Sequence, residues 1–177
     1  TMATSDFEMA IRSALKKVWP AINLVGCNFH YCQALHRKAS TLESLSTKIT
    51  GATDHHLILN MFMRLSLLPI DRIDAGLEAL IAFIDEKGCS DDFNSFIEYF
   101  KSTWLQRYRK QDWCVSGVDR RSNNHVEGYN NTIKHAIPPK PAPYDFLNAL
   151  HNLAIDASSK FFSDRQRNTQ PPPDRSY

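Results

Sequence analysis

The chain has 177 residues, 42% of them hydrophobic, and 21 Lys and Arg against 19 Asp and Glu, for a net charge of +2. That length suits one soluble globular domain with a substantial core. The apolar runs fall far short of a membrane span, which excludes a membrane-embedded protein, and no basic stretch followed by an apolar segment marks a signal peptide.

In chain order the pattern is almost wholly helical. Ser5 and Glu8 have capping-box spacing, and Phe7, Ile11, Ala14, Leu15 and Val18 follow as one apolar face, closed by Pro20. Asn23–Phe29 is short and apolar, and is the convincing strand. A helix with Leu35, Ala39, Leu42 and Leu45 on one stripe runs to Gly51. Thr53 or Asp54 caps the next, which buries Leu57, Ile58, Met61, Phe62 and Leu65 before Pro69. Ile73, Leu77, Leu80, Ile81 and Ile84 mark a helix stopped by Gly88. Asp92 opens one carrying Phe93, Phe96, Ile97, Phe100 and Trp104. Val126, Tyr129, Ile133 and Ile137 give a further face, ended by Pro138. Pro143 begins the last helix, with Phe146, Leu147, Leu150, Leu153, Ala157 and Phe161. Residues 168–177, with three consecutive prolines, read as a disordered tail.

Charge is segregated along this framework. Residues 1–50 carry six Lys/Arg against three Asp/Glu, residues 51–100 three against nine, and residues 101–177 twelve against seven. Basic ends flanking an acidic middle suit a nucleic-acid surface at the ends, although chance segregation of solvated charge reads the same way. Arg107, Arg109, Lys110, Arg120 and Arg121 are interleaved with Trp104, Tyr108 and Trp113, a mixture that can track a phosphate backbone. The two tryptophans are expected to pack inward. Four unevenly spaced cysteines, Cys27, Cys32, Cys89 and Cys114, do not form a secreted disulfide framework, so a reducing, intracellular compartment is expected.

Three segments carry chemistry. The first is Thr4-Ser5-Asp6-Phe7-Glu8, the second Gly26-Cys27-Asn28-Phe29-His30, and the third Arg121-Ser122-Asn123-Asn124-His125-Val126-Glu127-Gly128. By themselves Asp6 reads as an acid at a helix N-terminus, favoured by the macrodipole, and Glu127 as a first-turn glutamate with Asn123 or Asn124 as N-cap. Cys27 reads as a buried strand residue and His30 as a hydrogen-bonded side chain. Cys27, His30, Cys32 and His36 also offer four zinc ligands, but they are crowded into ten residues where tetrahedral zinc takes two separated pairs.

Together, and in this order, the three segments resemble the catalytic region of Mutator-like element transposases, which use an Asp-Asp-Glu triad on an RNase H-like fold. The resemblance spans nearly the whole chain. It implies a predominantly α protein with one or two strands, the C-terminal part of an RNase H-like α/β core carrying an all-helical insertion. Residues 1–49 would be core with the second acid, 50–112 the insertion, and 113–167 the Glu-bearing and last helices.

The family's first Asp is expected well upstream of the second, and only five residues precede Asp6 here. That acid is absent, and the chain also opens without an initiator Met, as a truncated or processed product would. The resemblance assigns Asp6 and Glu127 as catalytic metal ligands for Mg (or Mn), within several ångströms of each other. It assigns Cys27 and His30 to supporting roles, facing the same region, and Arg120, Arg121, Asn123, Asn124 and Lys134 to DNA. The implied function is DNA strand cleavage and transfer at transposon ends, in the nucleus, with this chain inactive alone. A domesticated, non-catalytic nuclear DNA-binding or regulatory protein is one alternative, and an unrelated helical interaction module the other. Loss of the first strands should leave helices 5–19 and 124–137 with uncovered apolar faces, to be met by a homo-oligomer or by a missing N-terminal segment.

Overall fold

The computed structural model describes residues 2–119 and 121–167. Arg120 and the tail 168–177 lie outside the described residues. Helix accounts for 71% and strand for 5% of the described residues, so helix packing rather than a sheet carries the fold. The chain divides into two compact units, Thr1–Ser122 and Asn123–Tyr177.

The first unit opens on β1 (Met2–Ser5), α1 (Met9–Val18) and β2 (Asn23–Gly26). The strands pair parallel, with Met2 opposite Asn23 and Ser5 opposite Gly26. Parallel neighbours need a crossover, and α1 supplies it. Two expectations change here. The strand expected over residues 23–29 ends at Gly26, because Cys27 and Asn28 already begin the next helix. Ser5 does not cap α1: it lies in β1, its hydroxyl donates to the Asp6 carbonyl and accepts from Arg12, and α1 starts after Glu8 without a side-chain cap.

The helical body follows: α2 (Asn28–Thr41), α3 (Glu43–Ser46), α4 (Asp54–Arg64), α5 (Ile73–Glu86), α6 (Ser90–Phe100) and α7 (Lys110–Trp113). Thr53 caps α4, its hydroxyl accepting the His56 N–H. Gly88, with φ +64°, ends the α5 segment in the left-handed conformation that favours glycine. Between α6 and α7 the residues Lys101–Arg107 wind as a π-helix, a rare geometry that concentrates at functional sites.

The core lies among α2, α4, α5, α6 and this π segment. Tyr31, Leu35, Ile58, Phe62, Phe93, Phe96, Phe100 and Trp113 are wholly buried, each contributing about 1.5–3 kcal/mol by leaving water. Tyr31 stacks on Trp113 at 5.2 Å, meets Trp104 edge-on at 4.8 Å, and donates its hydroxyl to the Phe62 carbonyl at 3.0 Å. Thus both tryptophans do pack inward.

α1 is amphipathic in an unexpected sense. Arg12 is its buried residue, 4% exposed, while Ile11 and Val18 face solvent, Val18 at 65%. The uncovered apolar face anticipated for this helix is therefore present. Gly26 is closely packed: a Cβ there would strike the Phe7 ring and lie 2.7 Å from the Asp112 carbonyl oxygen. Gly26→Ala is expected to cost about 1–3 kcal/mol by overpacking. A urea transition showing unchanged stability would contradict that packing.

The second unit is a helical hairpin of α8 (Asn124–Ala136) and α9 (Pro143–Arg167). Val126 is 60% exposed, and Tyr129, Leu147 and Ile155 are also exposed, so its expected apolar face is uncovered too.

Candidate nucleic-acid interface

Asp6 directly follows β1, at the C-terminal end of the strand, and its carboxylate accepts the Glu8 N–H at 3.3 Å. Cys27 directly follows β2. Its N–H donates to the Ser5 carbonyl at 2.7 Å and the residue is wholly buried. One residue later, the Asn28 N–H donates to the Arg121 carbonyl at 2.8 Å, while the Asn28 side chain accepts the Ser66 hydroxyl at 2.7 Å. Within the first unit Asp6 and Cys27 thus follow paired strands, and Arg121, which opens the third segment, is anchored on the first residue of α2, while residues 123–128 belong to the second unit.

Cys27 and His30 separate in role. His30 lines the cleft that holds Asp6, whereas Cys27 is wholly buried. His30 stands in the first turn of α2. Cys27 sits inside the fold as a packing residue. Burial, with Cys27 close by, pushes the Cys32 thiol up to about 11. No group of three or more His, Cys, Asp or Glu among the described residues is placed to hold a metal ion, so the four-ligand zinc set is not assembled.

The cleft, about 420 Å³, is the feature that sequence reasoning missed. α2 contributes His30, Gln33, Ala34 and Arg37, the i, i+3, i+4 and i+7 positions of one helix face. Tyr99, Thr103 and Arg107 come from α6 and the π segment, Asp6 and Glu8 stand on the β1–α1 connection, and Phe7, Trp104 and Tyr108 complete the lining. Phe7 is edge-on to Trp104 and to Tyr108, and the Tyr108 hydroxyl donates to the Phe7 carbonyl at 3.1 Å. The α2 stripe was visible as spacing, whereas the π-helix has no sequence signal.

The basic cluster is partly spent on internal pairs. Arg109 binds Asp112 at 3.2 Å, and Lys110 binds Asp74. Arg107 lies over the Tyr108 ring at 5.8 Å, and Arg121 is exposed. In the second unit, Asn123 takes the N-cap position of α8, but its side chain makes no cap; its buried Oδ1 finds no partner. Asn124 begins the helix, Glu127 is half-buried in the first turn, and Lys134 is exposed in the last. Asp6 and Glu127 fall in different units. No helix among the described residues is long and apolar enough to cross a membrane. No family model, curated protein or solved structure matches this chain.

Proposed function

We propose that this chain is a DNA-processing domain of the Mutator-like transposase type, nuclear in location, which binds DNA and does not cleave it alone. The observation that carries the reading is the meeting of the first two motif segments and Arg121, the start of the third, at the ends of β1 and β2. Asp6 follows one strand and Cys27 the other, and Arg121 is hydrogen-bonded to Asn28. A parallel strand pair joined by a crossover helix is consistent with part of an RNase H-like core, in which the helical stretch 50–112 would be the insertion.

Mg²⁺ or Mn²⁺ enters through the resemblance only. Asp6 and Glu127 are the two carboxylates that would ligate it, and a two-ion centre about 4 Å across needs more ligands than they supply. DNA binding is the activity assigned here. Arg121, exposed beside the strand ends, and Lys134 on α8 are the assigned phosphate contacts. A non-catalytic regulatory DNA-binding protein shares every one of these features. The interaction-module reading draws on the exposed Val126, Tyr129, Leu147 and Ile155 of the hairpin.

The test is a supercoiled plasmid incubated with the full chain and Mg²⁺. The expected result is retarded plasmid with no nicks. Metal-dependent nicking that disappears in Glu127→Gln would show that the chain carries a complete site.

A further inference from the structure

We propose that the groove between α2 and the π-helical segment binds a single strand of DNA, its phosphates on Arg37 and Arg107 and an oxygen acceptor of the strand on the indole N–H of Trp104. This inference rests on the DNA reading above and names the form of DNA that this cleft takes.

Four observations carry it. First, α2 and the π segment each bring a guanidinium: Arg37 and Arg107 line the same cleft. Guanidinium groups fit phosphate oxygens bidentately. Second, Trp104 lines this cleft, is 2% exposed, and its buried N–H has no acceptor among the described residues. A buried donor left unpaired costs about 1–3 kcal/mol, a cost that a phosphate or base oxygen in the groove removes. The neighbouring Tyr99 phenol is raised by burial and eased by the indole beside it, yet no hydrogen bond of ordinary geometry joins the two.

Third, the lining is aromatic and polar rather than uniformly charged. Tyr99 and Tyr108 bring aromatic rings, Tyr108 stacked on Trp104 with Arg107 over it, and Gln33, which accepts from Arg37 at 3.3 Å, offers an amide to a base edge. Aromatic faces beside a basic track are the means by which proteins hold unpaired bases. A cleft of about 420 Å³ admits nucleotides in single file and not a duplex about 20 Å across, whose bases are in any case already stacked on one another. Fourth, Asp6 and Glu8 also line the cleft. Their carboxylates repel phosphate, so the strand lies along the Arg37–Arg107 stretch.

The π-helix sets this geometry. Tyr99, Thr103 and Arg107 are four residues apart along the chain. Widening the helical turn within Lys101–Arg107 shifts Thr103 and Arg107 relative to the face a regular α-helix would present.

The experiment uses the full chain and two fluorescein-labelled probes, a 12-nucleotide single strand and a 30-bp duplex, read by anisotropy. Arg37→Ala/Arg107→Ala is expected to weaken single-strand binding about 10-fold and to lower its salt slope by about 1.4, since each phosphate contact contributes about 0.7. Duplex binding, assigned to Arg121 and Lys134, should change less than about 2-fold. Trp104→Phe should weaken single-strand binding about 5-fold. Because Trp104 is in the core, the exposed Gln33→Glu serves as the second variant, placing a negative charge on the groove wall for a loss of about 5-fold.

Single-strand binding unchanged in both the double-arginine and Gln33→Glu variants, with duplex binding intact, would overturn the groove and leave the DNA reading standing. Displacement of the oligonucleotide by poly-glutamate at equal charge would assign the groove to an acidic peptide instead. A wild-type chain that binds neither probe overturns both the groove and the DNA reading.

Discussion

Trp113→Ala is expected to lower stability by about 3–5 kcal/mol, the range for deleting a large aromatic from a packed core. Trp113 is wholly buried at the end of α7, where the chain returns from the helical body towards the strands. It stacks on Tyr31 with the rings 3° from parallel, meets Phe100 edge-on at 6.1 Å, and donates its indole N–H to the Trp104 carbonyl at 2.7 Å. That carbonyl belongs to the π-helix, so one side chain fixes both the core and the cleft wall. Trp113→Phe keeps most of the ring but loses this bond, and should cost about 1–3 kcal/mol. For a chain of this length 1 kcal/mol shifts Tm by about 2–4 °C, so the alanine variant should melt about 10 °C lower. A shift below about 2 °C would show that Trp113 is not held as described.

Arg12→Ala should be nearly as damaging, at about 3 kcal/mol, the lower end for breaking a buried ion pair. Arg12 donates to the Ser5 hydroxyl at 3.1 Å, to the Leu24 carbonyl at 3.3 Å and to Asp112 at 2.9 Å. It therefore ties β1, β2 and α7 together from α1. The lower end applies because Arg109 stays on Asp112 when Arg12 is removed.

The pair also sets a pH signature. Burial raises the Asp112 carboxyl, but the hydrogen bonds from Arg109 and the charges of Arg109 and Arg12 outweigh it and hold the group below its ordinary 3.8. A carboxyl lowered in the folded state contributes its full stability above the unfolded value and loses it as pH falls through the folded value. Urea midpoints of wild type and Arg12→Ala should therefore differ most near neutral pH and less below about pH 3.8, where the bonds of Arg12 to Ser5 and Leu24 remain. A difference that does not change with acid would remove Asp112 from the account.

The helices of the body were legible because periodicity and terminators agree there. Thr53 caps α4, the Phe93, Phe96 and Phe100 stripe is buried, and Gly88 supplies a positive φ after α5. β1 was not legible. Met-Ala-Thr-Ser has no alternation and little β propensity, and it is a strand because β2 offers it a partner. The Ser5–Glu8 spacing misled for the same reason: once Ser5 is in a strand its hydroxyl goes to Asp6 and Arg12. The apolar spacing of α1 marked a helix correctly but could not show that its one buried side chain would be an arginine, because Asp112 lies far along the chain.

The motif segments were found through their resemblance, and Asp6 and His30 do share a cleft. The rest of that cleft depends on a π-helix and on Tyr99, Thr103 and Arg107 meeting α2 in space, which no local spacing encodes.

The most direct test of the central claim is the affinity of the full chain for a 30-bp duplex measured across a salt series. Binding that displaces counterions makes log affinity fall linearly with log salt, by about 0.9 for each phosphate neutralised. The account predicts measurable binding at low salt with such a slope, a loss of binding in Arg120→Ala/Arg121→Ala, and little change when Asp91 and Asp92, in the acidic middle, become Asn. No binding at low salt, or binding insensitive to both salt and the two arginines, would contradict it.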